Sequence, residues 1–328
     1  MRGWAGEAAD PRRPARWGTV TRLPHTPRMT TDVHQHLWPP VFVAALRHRR
    51  RAPRLEGWTL QLPGERPWEI DPRHHDPAAR AKLAAADGDD RVLVAQSAAL
   101  GLDRLPEREA AELAEAWLQG ALALPAPFHA WAAACTPDAG MLTSALDRGA
   151  VGLEVAADAM AAPDGLDRLA PLLDTLNARD GAVLVHPGPA GAADAEGRPR
   201  WWAPVVVYVS QLHAAWWAWA AGGRARWPRV RVCFVALAGL APLHVERHRA
   251  RGGGPLASDP LTFVETSSYG ERAIDAVGRV LGIDVICHGS DRPYAEPHIP
   301  DLGAAALHAL RVRNPSRLLA GTFQEVHA

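Results

Sequence analysis

Ala182-Val183-Leu184-Val185-His186-Pro187-Gly188 is an unbroken apolar run that ends in an imidazole and a turn. A strand that is apolar on both faces is buried on both, as in parallel β-structure covered by helices. Working outward, similar runs occur at Arg91 to Ala98, Phe128 to Ala134, Val151 to Ala156, Val230 to Ala236, Leu261 to Thr266 and Asp284 to His288. Helical patterns fill most gaps, at Glu107 to Leu124, Met141 to Arg148, Leu166 to Arg179 and Arg272 to Leu281. Thr31-Asp32-Val33-His34-Gln35-His36-Leu37 adds an eighth strand at the front. Eight βα units predict an α/β fold of the (β/α)8 TIM-barrel type, a single domain with loop insertions, because such barrels run to about 250 residues before insertions. An open doubly wound sheet is the alternative, but no Gly-x-Gly-x-x-Gly follows an early strand to support it.

Composition narrows the function classes. The chain has 328 residues and is 48% hydrophobic, enough for a substantial core. Its 36 basic and 36 acidic side chains balance, so no overall field draws it to nucleic acid or an anionic membrane. Small molecules, or further copies of the chain, are the expected partners. Cys135, Cys233 and Cys287 each sit in an apolar run and are too few for a disulfide framework, which predicts a reduced, cytoplasmic protein. Met1 to Arg28 is rich in Arg, Pro and Gly and has no signal-peptide core, so it reads as a disordered or mis-annotated extension before a domain over 29–328.

In a barrel, reactive groups belong at the C-terminal ends of strands. His34 and His36, two positions apart on the first strand, leave the same face. His186 ends the fifth strand. Asp291 lies just past the eighth, in His288-Gly289-Ser290-Asp291-Arg292-Pro293, and Glu154 is a buried charge in the fourth, Val151-Gly152-Leu153-Glu154-Val155. Three imidazoles and one carboxylate on separate strand ends make a mononuclear set suited to Zn2+, with Mn2+ or Fe2+ as alternatives. His288 has the opposite parity to Asp291 and is expected to point away from the lumen.

The order His-x-His on strand one, His-Pro-Gly on strand five and Gly-Ser-Asp-x-Pro on strand eight resembles the amidohydrolase superfamily, in particular the amidohydrolase-related branch that includes aminocarboxymuconate semialdehyde decarboxylase. The resemblance spans residues 30 to 325 and implies a TIM barrel with His34, His36, His186 and Asp291 as metal ligands. One position departs from it. That branch carries a His-x-Gly-Gly segment at the end of strand six, where this chain has Ala236 within Phe234-Val235-Ala236-Leu237-Ala238-Gly239.

With that imidazole gone, the leading expectation is a metal-dependent hydrolase of an ester, lactone or amide, in which Asp291 takes the proton of a metal-activated water. A metal-dependent non-oxidative decarboxylase is the alternative, and a non-catalytic barrel relative is the third reading. His244, Glu154 and His213 are candidates to protonate a leaving group. Glu154 is equally read as a partner that orients His186, and His213 as a packing residue. Specificity is assigned to the loops 52 to 76, which has room for a small hairpin, and 189 to 204. Arg198, Arg200 and Arg292 suggest a carboxylate-bearing substrate. The uncharged run from Ala203 to Gly223 is long enough to raise the question of a membrane span, but Ser210, Gln211 and His213 in its middle favour a barrel helix. The tryptophans of the 201–227 region suggest a homodimer interface.

Overall fold

A computed structural model describes residues 29–194, 197–256, 259–320 and 322. The reading of Met1 to Arg28 as an extension lies outside them. Eight strand positions follow in chain order: β1 (Thr31–His36), β2 (Arg91–Ala95), β3 (Phe128–Ala130, resumed at Ala132–Ala133), β4 (Leu153–Ala156), β5 (Ala182–His186), β6 (Arg231–Phe234), β7 (Thr262–Glu265) and β8 (Ile286–Cys287). Each pairs in parallel with the next.

Two backbone seams turn these ladders into a ring. At Trp131 the chain changes partner, with Trp131 N donating to Val94 O and Ala132 N to Gly152 O, both 2.9 Å. Between the last strand and the first, Val33 N donates to His288 O (3.0 Å), His36 N to Arg292 O (2.7 Å) and Asp291 N to His34 O (2.9 Å). The predicted (β/α)8 barrel is therefore what the chain forms. The eighth strand is shorter than the run from Asp284 to His288, because Ile283–Val285 closes a 3-10 turn before it.

Almost every strand residue is buried, as continuous apolar runs require. Each fully buried Val, Leu or Phe contributes about 1.5–3 kcal/mol. The surrounding helices begin and end where local chemistry dictates. The helix Pro77–Asp87 opens on Asp76, whose carboxylate accepts from Ala79 N at 3.0 Å, and closes on Gly88 at φ +71. Glu107–Leu122 carries two acids in its first turn and buries Leu113, Trp117 and Leu118.

The excursion after β1 holds a small antiparallel sheet of Arg54–Glu56, Thr59–Gln61 and Trp68–Glu69. The Trp-rich segment is helical from Ala203 to Arg226, with π-helical turns at both ends of Tyr208–Ala218. Trp216 and Trp219 are buried, whereas Trp201 and Val205 are each 58% exposed. Among the described residues, no helix is long and apolar enough to cross a membrane. The three cysteines are free and buried.

Candidate metal centre

Two strands and one tight turn bring His34, His36, His186 and Asp291 together, with one ligand atom from each lying within 4.8 Å of all the others. The first strand carries a register irregularity between Asp32 and Gln35. Bulges of this kind re-aim side chains. His34 Nε2 and His36 Nε2 end 3.1 Å apart, and His36 Nε2 is 3.1 Å from Asp291 Oδ1. The three imidazoles stand nearly at right angles, with centroids 4.8–5.2 Å apart. Asp291 adopts φ +59, a left-handed conformation that aspartate tolerates better than most residues.

Hydrogen bonds on the far side of each ring fix what the near side offers. His36 Nδ1 donates to Ala95 O at 3.0 Å, and His186 Nδ1 donates to Pro187 O at 2.9 Å. His34 Nδ1 faces Glu265 Oε1 at 3.4 Å. In the His36 and His186 rings the outer nitrogen therefore holds the proton and Nε2 turns a lone pair inward. A His34 ring nitrogen and the Asp291 carboxylate, whose Oδ1 is buried without a hydrogen-bond donor among the described residues, join them within 4.8 Å. Three imidazole nitrogens and a carboxylate oxygen converging in this way fit a divalent cation, which would displace the second proton that its acidic neighbours hold on His34.

Electrostatics follow from the packing. Burial and the neighbouring imidazoles drive the pKa of His36 and His186 well down. For His34 burial also works against the cation, but the Glu265 hydrogen bond and the charges of Asp291, Glu265 and Asp32 outweigh it, holding the pKa up at about 9. Burial raises Glu154 to about 7 against the pull of the Ala98 N–H and His34. Its Oε1 accepts from Ala98 N at 2.8 Å and lies 3.9 Å from His186 Nδ1, while Oε2 has no partner.

The remaining sequence candidates are placed elsewhere. His244 is exposed and packs edge-to-face on His213, with centroids 4.9 Å apart, outside the converging group. The Arg292 guanidinium is held by Asp87 at 2.7 Å, and that half-buried pairing removes it from the expected substrate contact. Arg200 lies over Trp68 and Arg198 over Trp202, at 5.1 and 4.3 Å. These contacts join the two specificity loops into a roof at the strand ends, with Arg66 Nη1 donating to Arg198 O (2.7 Å) and Gly191 N to Glu65 Oε1 (2.9 Å). His288 is buried and outside the converging group.

Four further residues shape the site. Glu265, at the end of β7, is fully buried and accepts from Ala236 N, Ser267 N and Ser267 Oγ as well as facing His34. Asp32 Oδ1 accepts from His34 N and Ser290 N. Arg80 donates to His36 O, and the Tyr294 ring lies 5.2 Å from that of His36. The signal that picked out Glu154, a charge in an apolar strand, is present at Glu265 too. At Ala236, where the strand-six imidazole is missing, the chain enters five successive left-handed residues, Ala236 to Leu240, with φ between +48 and +60. Such residues cost about 1–2 kcal/mol each unless they are glycine. The Ala236 N–H held by Glu265 at 2.6 Å is one contact that sustains the turn.

No protein-family model and no curated protein sequence matches the chain. Solved structures do. The 5-carboxyvanillate decarboxylase of Sphingomonas paucimobilis is 14% identical, with 89% of this chain and 99% of that one covered at a TM-score of 0.68. The 2,6-dihydroxybenzoate decarboxylase of Rhizobium is 18% identical, with 89% and 98% covered at 0.67. A 5-carboxyvanillate decarboxylase of Novosphingobium aromaticivorans with bound manganese is 16% identical, with 89% and 97% covered at 0.69. These neighbours correct the leading expectation from the sequence, a hydrolase: all three are named as decarboxylases. In fold, the chain is a TIM barrel like those of the decarboxylases just named.

Proposed function

We propose that the protein is a metal-dependent, non-oxidative decarboxylase of a hydroxylated aromatic carboxylic acid. The observation that carries the proposal is the convergence of three imidazole nitrogens and a carboxylate oxygen without a hydrogen-bond donor at the mouth of this barrel. The neighbours' manganese favours Mn2+ over the Zn2+ first expected, and a three-imidazole, one-carboxylate set accepts either. Held by His34, His36, His186 and Asp291, a divalent ion would supply Lewis-acid chemistry toward the acid.

The chain's own residues perform the remaining tasks. In decarboxylation the bond from carbon to carboxylate breaks, carbon dioxide leaves, and the electron pair stays on a carbon that then takes a proton. Asp291 is the member of the group best placed to move that proton. Its side chain is 24% exposed at the mouth, whereas those of His34, His36 and His186 are 1%, 0% and 8% exposed. Glu154 sits 3.9 Å behind His186 Nδ1 and acts on that ring through its charge, while Pro187 O holds the ring's orientation. Arg200 and Arg198, on the roof with no carboxylate ion-paired to them among the described residues, receive the acid group of the substrate. The exposed Trp201 and Val205 are the proposed contact between two copies of the chain.

The test is carbon dioxide release from a panel of hydroxybenzoic acids by manganese-loaded protein, with lactones and anilides as controls. Release from at least one ortho-hydroxylated acid, abolished in Asp291→Asn, is the expected result. Turnover of a control without release from any acid would overturn the proposal.

A further inference from the structure

Arg80 is 2% exposed, and among the described residues no carboxylate lies within ion-pair distance of it. Burial, together with the nearby Arg292 charge, lowers its pKa to about 10. A guanidinium is expensive to bury without a counter-ion, so its donors show what it is retained for. Nη1 donates to His36 O and His74 O, both at 2.8 Å. Nη2 donates to Gln35 Oε1 and to Arg292 O, the latter at 3.2 Å. Two of these acceptors are peptide carbonyls beside metal-site residues: His36's own, and that of the residue following Asp291.

A second path runs through Gln35. Its Nε2 donates to Asp32 Oδ2 at 2.8 Å, and Asp32 Oδ1 accepts from both His34 N and Ser290 N. Apart from that to His74, every hydrogen bond on these two paths ends on the first strand, between Asp32 and His36, or on the Ser290–Arg292 turn, and Arg80 reaches both. His36 Nε2 and Asp291 Oδ1 lie 3.1 Å apart across the same seam. We propose that Arg80 is a positioning residue for the metal: its planar fork sets the spacing between the first-strand imidazoles and Asp291, and thereby the affinity and geometry of the bound ion. This rests on the reading of the four residues as a metal site.

The experiment uses the full chain, stripped with chelator and titrated with Mn2+ and, for its visible absorption, Co2+. Arg80→Lys keeps the charge and loses the fork. Gln35→Ala removes one acceptor, leaves Arg80 its backbone partners, and carries the test if the lysine variant does not fold. Arg311→Lys is the control, an equally forked arginine that holds Asp87 O, Gly88 O and Asp89 away from the ligands. Outer-shell changes typically cost about 10–100-fold in metal affinity. Arg80→Lys is expected to lose that much for Mn2+ and to shift the Co2+ spectrum, Gln35→Ala to show a smaller loss, and Arg311→Lys to lower the melting temperature while binding as wild type. Wild-type affinity and an unchanged spectrum in both Arg80→Lys and Gln35→Ala overturn the positioning role alone. A wild-type protein that binds neither ion overturns the metal reading and the inference with it.

Discussion

Gly289→Ala is a one-methyl change whose effect can be worked from distances. A Cβ at this position would stand 2.1 Å from Glu265 Oε2, 2.7 Å from its Cδ and 3.0 Å from its Cγ. Carbon and oxygen need roughly 3.3 Å, so the carboxylate must retreat by about 1 Å or more. Glu265 has no slack for that, since it accepts from Ser267 N and Ala236 N at 2.6 Å and faces His34 Nδ1 at 3.4 Å. Hydrogen bonds to a charged group are worth about 1.5–3 kcal/mol, so losing one or two costs about 3–5 kcal/mol. In a chain of this length that is a fall of about 4–7 °C in melting temperature. The assay is thermal unfolding of metal-free protein across a cycle of wild type, Gly289→Ala, Glu265→Ala and the double variant. With the carboxylate gone the three atoms nearest the methyl are gone too, so Gly289→Ala in the Glu265→Ala background is expected to cost under about 1 kcal/mol. A single variant that melts within about 1 °C of wild type, or costs that simply add, would refute the reasoning.

Other consequences are equally specific. His75 lies between the rings of Trp38 (4.7 Å, 13°) and Trp58 (5.9 Å, 7°), accepts from Trp38 N, and is held down at about pKa 3 by burial and by Arg80. The unfolded chain protonates it first, near 6.5, so its contribution is complete above that pH and lost as pH falls towards 3. Between pH 6 and 4 the stability of wild type should fall more steeply than that of His75→Phe, by up to about 1.4 kcal/mol per pH unit in urea unfolding; equal slopes would count against a neutral buried imidazole. Glu154→Gln should keep metal binding within about tenfold while lowering kcat, measured by metal titration beside steady-state rates. Trp201→Glu with Val205→Glu should reduce the solution mass to that of one chain in light scattering, whereas an unchanged mass would remove the proposed interface.

Much of the barrel is legible in the sequence because a strand buried on both faces leaves an apolar run, and all seven such runs contain a strand, with the polar segment Thr31 to Leu37 holding the eighth. Their ends are less legible. Whether Asp284 to His288 is strand throughout depends on a 3-10 turn that local propensity does not announce. The four converging residues are readable because a polar side chain at the end of an apolar strand is costly to bury unless a ligand or a partner compensates it. Their supports are harder to see. Arg80 sits in Pro77–Asp87, a helix of alanines and charges, and nothing in that pattern distinguishes a buried guanidinium from a solvated one. The left-handed turn from Ala236 to Leu240 is opposite to what alanine and leucine prefer, so only tertiary contacts impose it. The ion pair of Arg292 is not legible either, because adjacency to Asp291 in sequence says nothing of Asp87, which reaches it from the end of the helix Pro77–Asp87.

Metal-dependent decarboxylation at His34, His36, His186 and Asp291 is the central claim. The most direct test is carbon dioxide evolution from 2,6-dihydroxybenzoate and related hydroxybenzoates by chelator-stripped protein, before and after one equivalent of Mn2+ is restored. Release that appears only with the metal, and not in a His34→Ala, His36→Ala double variant that remains folded, is the predicted result. Stoichiometric metal uptake with no carbon dioxide from any hydroxybenzoate, or release that survives loss of both histidines, would contradict it.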